Sequence, residues 1–202
     1  MLVERITLNQ IKPQPWKNGA GLTREVAVHP QNASPDNFDW RLSVAVIGRN
    51  APFSEFPGID RCIVLLRGAG MRLRSADMAV DERLSRAHQA FRFSGDTPLT
   101  ASLINGPTLD LNVMTRRGRC RFEVSSHSER TEAGPASAGL LLCSQGEWRV
   151  DGPALPEALT VGSLQALLWR RGLPAVRAEP LLPDSVLLVV QLRLLLQDRA
   201  PL

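Results

Sequence analysis

No tyrosine occurs in the 202 residues, and cysteine, histidine and lysine are scarce. Each shortage excludes something. The three cysteines, Cys62, Cys120 and Cys143, are widely spaced and odd in number. Without a CxxC pair they indicate neither a zinc ribbon nor a redox dithiol, and Cys62 and Cys143, set in apolar runs, read as small core residues. The three histidines, His29, His88 and His127, form no HxH or HxxxH pair. No ligand spacing for a metal follows from them, so neither a metal nor any other cofactor is expected. A G-x-S-x-G elbow is missing, and Ser43 and Ser54 have no histidine close by in the chain, although a triad assembles in space rather than in sequence. Gly19 and Gly21 come after Lys17, and no GKS or GKT follows them, which excludes a P-loop.

The chain also lacks long apolar runs. Nothing approaches the roughly 20 apolar residues that span a bilayer. The best stretch, Val186 to Leu196, is short and carries Gln191 and Arg193. The first residues, Met1-Leu2-Val3-Glu4-Arg5, show no basic segment leading into an apolar one, so no secretion signal is expected. A reducing cytoplasm is the expected compartment, with no membrane partner.

What is present is ordinary for a globular protein: 44% apolar and 22% charged residues, with a net charge of +4. Lys12 and Lys17 are the only lysines, so arginine supplies most of the positive charge. The densest basic cluster, Arg116, Arg117, Arg119 and Arg121, is interleaved with Gly118, Cys120 and Phe122. It reads as a solvated turn entering a strand, with an anion-binding patch as the alternative; nucleic acid is not an expected partner. Fifteen glycines and fifteen prolines imply many turns and short strands.

Strand signals recur. Trp40–Ile47 places Trp40, Leu42, Val44 and Val46 on one face and Arg41, Ser43 and Ala45 on the other. Leu109–Thr115 puts Asp110, Asn112 and Met114 opposite Leu111 and Val113. Arg24–His29, Ile59–Leu66, Arg119–Val124, Gly139–Leu142, Trp148–Val150 and Val186–Leu196 complete the set. Turn residues separate them: Pro57-Gly58, Gly68-Ala69-Gly70, Gly95-Asp96, Gly106-Pro107, Gly134-Pro135 and Gly152-Pro153. Residues 164–171 suit a helical face or a buried strand, and residues 127–138 read as a surface loop joining two halves. An all-β barrel or sandwich is the predicted class.

One segment stands apart. Pro15-Trp16-Lys17-Asn18-Gly19-Ala20-Gly21-Leu22-Thr23-Arg24-Glu25 gathers an indole, an ammonium, an amide, a guanidinium and a carboxylate within eleven positions. Later strands add Arg41, Ser43, Arg61 and Asn112. A guanidinium binds a carboxylate through paired, charge-assisted hydrogen bonds. Arg41 sits inside an apolar strand pattern, so a partner is required if it is buried. That partner is either internal, with Glu25, Asp60 or Asp110 as candidates, or a bound acid. Asn112 either orients a ligand or is tied within the sheet. Trp16, Trp40, Phe53 and Phe56 either wall a pocket or fill a core.

The 15–25 segment resembles the signature of the HutD/Ves family. So do Asp39-Trp40-Arg41-Leu42-Ser43-Val44-Ala45, the run from Gly48 through Phe53-Ser54-Glu55-Phe56-Pro57-Gly58 to Arg61, Leu66-Arg67-Gly68-Ala69-Gly70, and Asn105-Gly106-Pro107-Thr108-Leu109-Asp110-Leu111-Asn112-Val113-Met114. Ala20 stands where many members carry a third glycine. The match is strong over residues 6–122 and weaker beyond. The resemblance implies a cupin-like (RmlC-like jelly roll) β-barrel of the bicupin type, two barrels in one chain. On that view residues 1–202 form a single compact unit, with approximate halves 1–126 and 139–202 that share strands. It also implies a bacterial protein associated with histidine utilisation. The His-rich motif by which many cupins hold a metal is absent.

These readings converge on a metal-free binding protein for a small carboxylate of histidine breakdown, urocanate or formylglutamate, that moderates histidine utilisation. The expected ligand-binding residues are Trp16, Lys17, Asn18, Arg24, Arg41, Ser43, Phe53, Phe56, Arg61 and Asn112. The alternatives are a metal-independent isomerase, lyase or hydrolase acting on a small acid, and a protein-interaction regulator. Association as a homodimer stays open.

Overall fold

The computed structural model describes residues 3–195, and these are built almost wholly of strands. In chain order the first are β1 (Val3–Thr7), β2 (Gln14–Pro15), β3 (Gly21–His29), β4 (Trp40–Ile47) and β5 (Ala51–Pro52). Next come β6 (Ile59–Arg67), β7 (Met71–Arg74), β8 (Asp81–Leu84), β9 (Ala90–Ser94) and β10 (Thr100–Leu103). Then follow β11 (Thr108–Arg116), β12 (Cys120–His127), β13 (Thr131–Ala133), β14 (Ala138–Gln145) and β15 (Glu147–Asp151). The last are β16 (Leu159–Gly162), β17 (Gln165–Trp169), β18 (Val176–Pro180) and β19 (Val186–Leu194). A 3-10 turn at Leu8–Gln10 is the only helical element among the described residues. No helix there is long and apolar enough to cross a membrane. Leu196, the end of the expected last strand, lies outside the described residues.

The chain divides into two compact units, residues 11–117 and a second made of residues 1–10 with 118–202. The first ten residues join the second unit because β1 pairs with β17 from Val3↔Trp169 to Thr7↔Gln165. Each unit holds two antiparallel sheets. In the 11–117 unit they run β2-β3-β4-β11-β6-β9 and β5-β10-β7-β8. In the other they run β1-β17-β14-β19-β12 and β13-β18-β15-β16. All four orders are open, so hydrogen bonding closes none of these sheets into the expected barrel. Two edges end on strands only two residues long, β2 and β5, with Pro15 and Pro52 in them. Proline lacks an N–H, and an edge strand is where that loss costs no ladder bond.

Within residues 164–171 the chain forms a strand, β17, over Gln165–Trp169; it is buried over Ala166–Trp169 and paired on both sides, with β1 and β14. Its residues occupy two-sided positions in a sheet, which is why leucines fall at every spacing. The expected 127–138 loop contains a short strand, β13, paired to β18.

The two interiors differ in chemistry. In the unit holding the C-terminal strands, Leu141, Cys143, Leu167, Trp169, Leu187 and Val189 from the larger sheet meet Trp148, Val150, Val161 and Val176 from the smaller. That cluster holds no charged side chain; its polar atoms are the Cys143 thiol and the indole N–H groups of Trp148 and Trp169, the latter buried without a partner. In the 11–117 unit, Ile47, Ile63 and Phe93 of the larger sheet meet Met71, Leu73, Leu84 and Ala101 of the smaller. Polar residues share the face that carries Ile47, Ile63 and Phe93. The register shows which ones. Ser43 pairs with Asn112, and Asn112 with Ile63; Arg41 pairs with Met114, and Met114 with Arg61. Cross-strand partners share a face. Arg41, Ser43, Arg61, Asp110 and Asn112 therefore all rise from this one surface, on three adjacent central strands.

Candidate functional site

The 16–21 segment is the hairpin turn between β2 and β3. The Trp16 N–H donates to the Gly21 carbonyl at 2.9 Å, and the Gly19 N–H donates to the Trp16 carbonyl at 2.9 Å. Gly19 is there because the turn needs φ of +66°, a value other residues adopt with strain. Gly21 is there for a different reason: a Cβ would lie 2.6 Å from the Val46 carbonyl and 3.1 Å from the Trp16 ring. The Asn18 side chain accepts from the Ala20 N–H at 3.0 Å, a local cap that satisfies the turn. Lys17 is exposed at its tip. Trp16 leaves the turn pointing at later strands. Its indole N–H donates to Thr23 Oγ1 at 2.7 Å, and its ring meets Phe53 edge-on at 6.1 Å.

Phe53 leads to Arg61, which is only 6% exposed. The Arg61 guanidinium lies 5.5 Å from the ring centre of Phe53, 5.2 Å from Phe56 and 4.8 Å from Phe93. Its Nη1 donates to the Ser54 carbonyl at 3.0 Å, and its Nε has no partner. Among the described residues no carboxylate is within ion-pair distance of it. Three aromatic faces stabilise a desolvated cation by about 2 kcal/mol each at best. They do not replace an anion: burial, aided by the field of Arg41, lowers the Arg61 pKa to about 10. The group stays protonated at neutral pH, a buried cation without its counter-charge.

Arg41 differs. Its Nε donates to Glu25 Oε2 at 2.7 Å, so its charge is met internally. Of the three candidate partners, Glu25 is the one that pairs. Asp60 bonds Arg117 at 2.7 Å, and Asp110 is fully buried, with Oδ2 accepting from Thr108 Oγ1 at 2.6 Å and Oδ1 unpartnered. Burial pushes the Asp110 carboxyl up to about 7, the Thr108 hydroxyl opposing that rise. Ser43 and Asn112 face each other across β4 and β11, are 3% and 8% exposed, and form no side-chain hydrogen bond to any described residue.

Of the expected ligand residues, the structure brings Arg41, Ser43, Arg61 and Asn112 onto one face, with Phe53 and Phe56 against Arg61 and Trp16 against Phe53. It does not bring Arg24 to them. Arg24 pairs with Val44, whose side chain takes the opposite face from Ser43. A bulge between Glu25 and Ala27 accompanies this: Val26, Ala27 and Val28 are all buried, so the alternation expected for 24–29 does not persist. Asn18 is engaged in its own turn. Phe93, Glu25 and Thr108 were not among the expected ligand residues. The Phe91-Arg92-Phe93 alternation was the available signal for the first. Two residues of the basic cluster are committed elsewhere: Arg116 donates to the carbonyls of Phe38 and Asp36 at 2.9 Å, and Arg117 bonds Asp60 and Asp96. Among the described residues no group of three or more His, Cys, Asp or Glu side chains is placed to hold a metal ion.

The HutD family model matches residues 8–180. Protein Ves of Cronobacter sakazakii is 35% identical over 164 residues, covering 80% of this chain and 84% of its own. HutD from Pseudomonas fluorescens SBW25, solved in a formate condition, is 26% identical with a TM-score of 0.79, over 96% of this chain and 99% of that one. A cupin 2 conserved barrel domain protein from Leptotrichia buccalis shares the fold alone, at 9% identity, a TM-score of 0.55 and coverage of 95% and 96%. The chain belongs to the HutD family and has a cupin-like all-β fold.

Proposed function

We propose that this HutD-family chain is a metal-free binding protein for a small carboxylic acid of histidine breakdown, urocanate or formylglutamate, through which it moderates histidine utilisation in the cytoplasm. Its two units are read as the two barrels of a bicupin, each a pair of facing sheets, with the ligand in the 11–117 unit. Arg61 takes the ligand carboxylate. Arg41, Ser43 and Asn112 add polar contacts on the same face, and Phe53, Phe56 and Trp16 cover it, with Lys17 at the rim. The observation that carries this reading is the buried Arg61 cation, which lacks a carboxylate among the described residues. A buried charge is costly unless paired, and a bound acid supplies the pair.

A rival reading is an enzyme acting on the same acid, and one observation favours it: Asp110, raised to about 7 and on the same face as Asn112, has the poise of a proton-transfer group. Turnover of either acid by the wild type that disappears in folded Asp110→Asn would establish it.

Isothermal titration with urocanate and with formylglutamate tests the binding reading. Wild-type protein is expected to bind one of them. Arg61→Met, which keeps much of the side-chain length without the charge, is expected to lose at least about a hundredfold in affinity, since two charge-assisted bonds at roughly 1.5–3 kcal/mol each disappear. The same variant is expected to melt at a higher temperature, because an unpaired buried cation has been removed. Folded wild-type protein that gives no heat with either acid at millimolar concentration would sink the ligand assignment.

A further inference from the structure

We propose that the outer face of the β13-β18-β15-β16 sheet carries a second binding site, a groove that takes a free α-amino acid by its ammonium and its carboxylate. The groove lies in the unit with the C-terminal strands and does not depend on the acid-binding reading of Arg61. Ala133, Val150, Val176 and Ala178 turn inward to the core of that unit. Alternation sends their chain neighbours Glu132, Asp151 and Arg177 outward. The register sets these three in one row, with Arg177 opposite Glu132 on one side and opposite Asp151 on the other. Adjacent strands are about 4.8 Å apart. Across the sheet the order is therefore carboxylate, guanidinium, carboxylate, one strand step between each.

Opposite charges in such positions ordinarily close on each other. On two of the same strands Arg149 and Glu179 do so, at 3.9 Å. Glu132, Asp151 and Arg177 do not: none of them forms an ion pair or a side-chain hydrogen bond with a described residue. They open instead onto a groove of about 650 Å³. The segment after β15 walls it with Pro153, and the segment before β18 with Pro174 and Ala175. The two segments approach closely at Gly152, where a Cβ would lie 2.9 Å from Val176 Cγ1 and 3.2 Å from the Ala175 carbonyl oxygen. The walls are uncharged and the floor holds one cation between two anions. A guanidinium binds a carboxylate through paired, charge-assisted hydrogen bonds, and the carboxylates beside it accept from an ammonium. A ligand with both groups on one carbon satisfies neighbours in the row at once. A plain acid meets Arg177 but also a like charge on either side. A plain amine meets the carboxylates but also Arg177 between them. The proline and alanine walls suit an uncharged side chain, which makes leucine the probe.

Three compounds of one shape separate the possibilities: L-leucine, 4-methylpentanoate, which lacks the ammonium, and 3-methylbutylamine, which lacks the carboxylate. Each is titrated into the full chain, followed by the NMR shifts of the Gly152 and Ala175 amides. Wild-type protein is expected to bind leucine at millimolar concentration, at least tenfold more tightly than either of the others, with both amides moving. Arg177→Gln, and Glu132→Gln combined with Asp151→Asn, are each expected to weaken leucine at least tenfold; their melting temperatures show that they fold. Arg61→Met is expected to bind leucine as the wild type does, which separates this groove from the acid site. Unmoved Gly152 and Ala175 amides in folded wild type with leucine would overturn the proposal. So would equal affinity for leucine and 4-methylpentanoate, or leucine binding that is lost in Arg61→Met and kept in Arg177→Gln.

Discussion

Asp110 gives the sharpest stability test. Its carboxyl is fully buried, with one oxygen bonded to Thr108 and the other without a partner. Burial raises its pKa from 3.8 to about 7. A folded-state pKa above the unfolded one means that the folded protein holds its proton longer. Stability is therefore unaffected well below pH 3.8, falls as pH rises from there to about 7, and stays reduced above that. At 1.36 kcal/mol per pKa unit the full loss is about 4 kcal/mol, and the part between pH 5 and pH 8 is about 2–3 kcal/mol. Asp110→Asn removes the titration and keeps an oxygen to accept from Thr108. Urea unfolding of both proteins at pH 5 and pH 8, followed by tryptophan fluorescence, is the assay. The variant is expected to gain on the wild type by about 2–3 kcal/mol from the lower pH to the higher, which is roughly 1 M in midpoint for a slope of about 2–3 kcal/mol/M. A gap between the two proteins that is the same at both pH values would refute the argument, because it would mean that Asp110 ionises inside the fold as readily as outside it.

The 16–21 turn offers two further tests. Gly21→Ala places a methyl 2.6 Å from a backbone carbonyl, which cannot swing aside as a side chain would. A loss of about 1–3 kcal/mol is expected, read as a lowered melting temperature; a neutral effect would show that the hairpin moves to make room. Asn18→Ala loses its bond to the Ala20 N–H and is expected to cost about 1 kcal/mol. Affinity for the acid should be unchanged, and a tenfold loss in titration would instead make Asn18 a ligand contact.

The main strands were legible where one face is continuously apolar. Trp40, Leu42 and Val44 announced β4, and Leu111 with Val113 announced β11, because a central strand buried on both faces must carry a strict apolar row on at least one. β7, β8, β9 and β10 were not read. Each is four or five residues long with few apolar side chains, as in Asp81-Glu82-Arg83-Leu84, too short to establish a period. That β4 and β11 carry polar residues on their second face was visible from alternation alone. What those residues meet was not. The choice of Glu25 for Arg41 over Asp60 and Asp110 depends on which strands pair, and that is a long-range fact. Arg24 lies on the face opposite Ser43 for a local reason. The bulge after Glu25 adds a residue without any glycine or proline to mark it, so simple alternation does not say which of two adjacent charged residues turns inward.

The contrast between the two interiors says why the polar face is best read as functional. The unit with Leu141, Trp148, Trp169 and Val189 shows that this chain can fill the space between two such sheets without charged side chains, the indole N–H groups of the two tryptophans being its unpartnered polar atoms. In the 11–117 unit the corresponding central strands instead expose Arg61, Asp110, Ser43 and Asn112 to the inside. A buried polar group left without a partner costs about 1–3 kcal/mol, and more when charged. Two such atoms lie on this face, Arg61 Nε and Asp110 Oδ1, and both belong to ionisable groups, a cost that counts against a net stability of about 5–15 kcal/mol. Packing alone would favour leucine or methionine at these positions. The presence of the polar residues on three neighbouring strands, aimed at one another, is what a binding site requires and a core does not. The argument has a consequence that neither position yields alone. Arg61→Met and Asp110→Asn are each expected to raise stability at pH 8, the first with loss of binding. If both variants were less stable than the wild type, the polar face would be a satisfied part of the core, and the case for a ligand would have to be made elsewhere in the molecule.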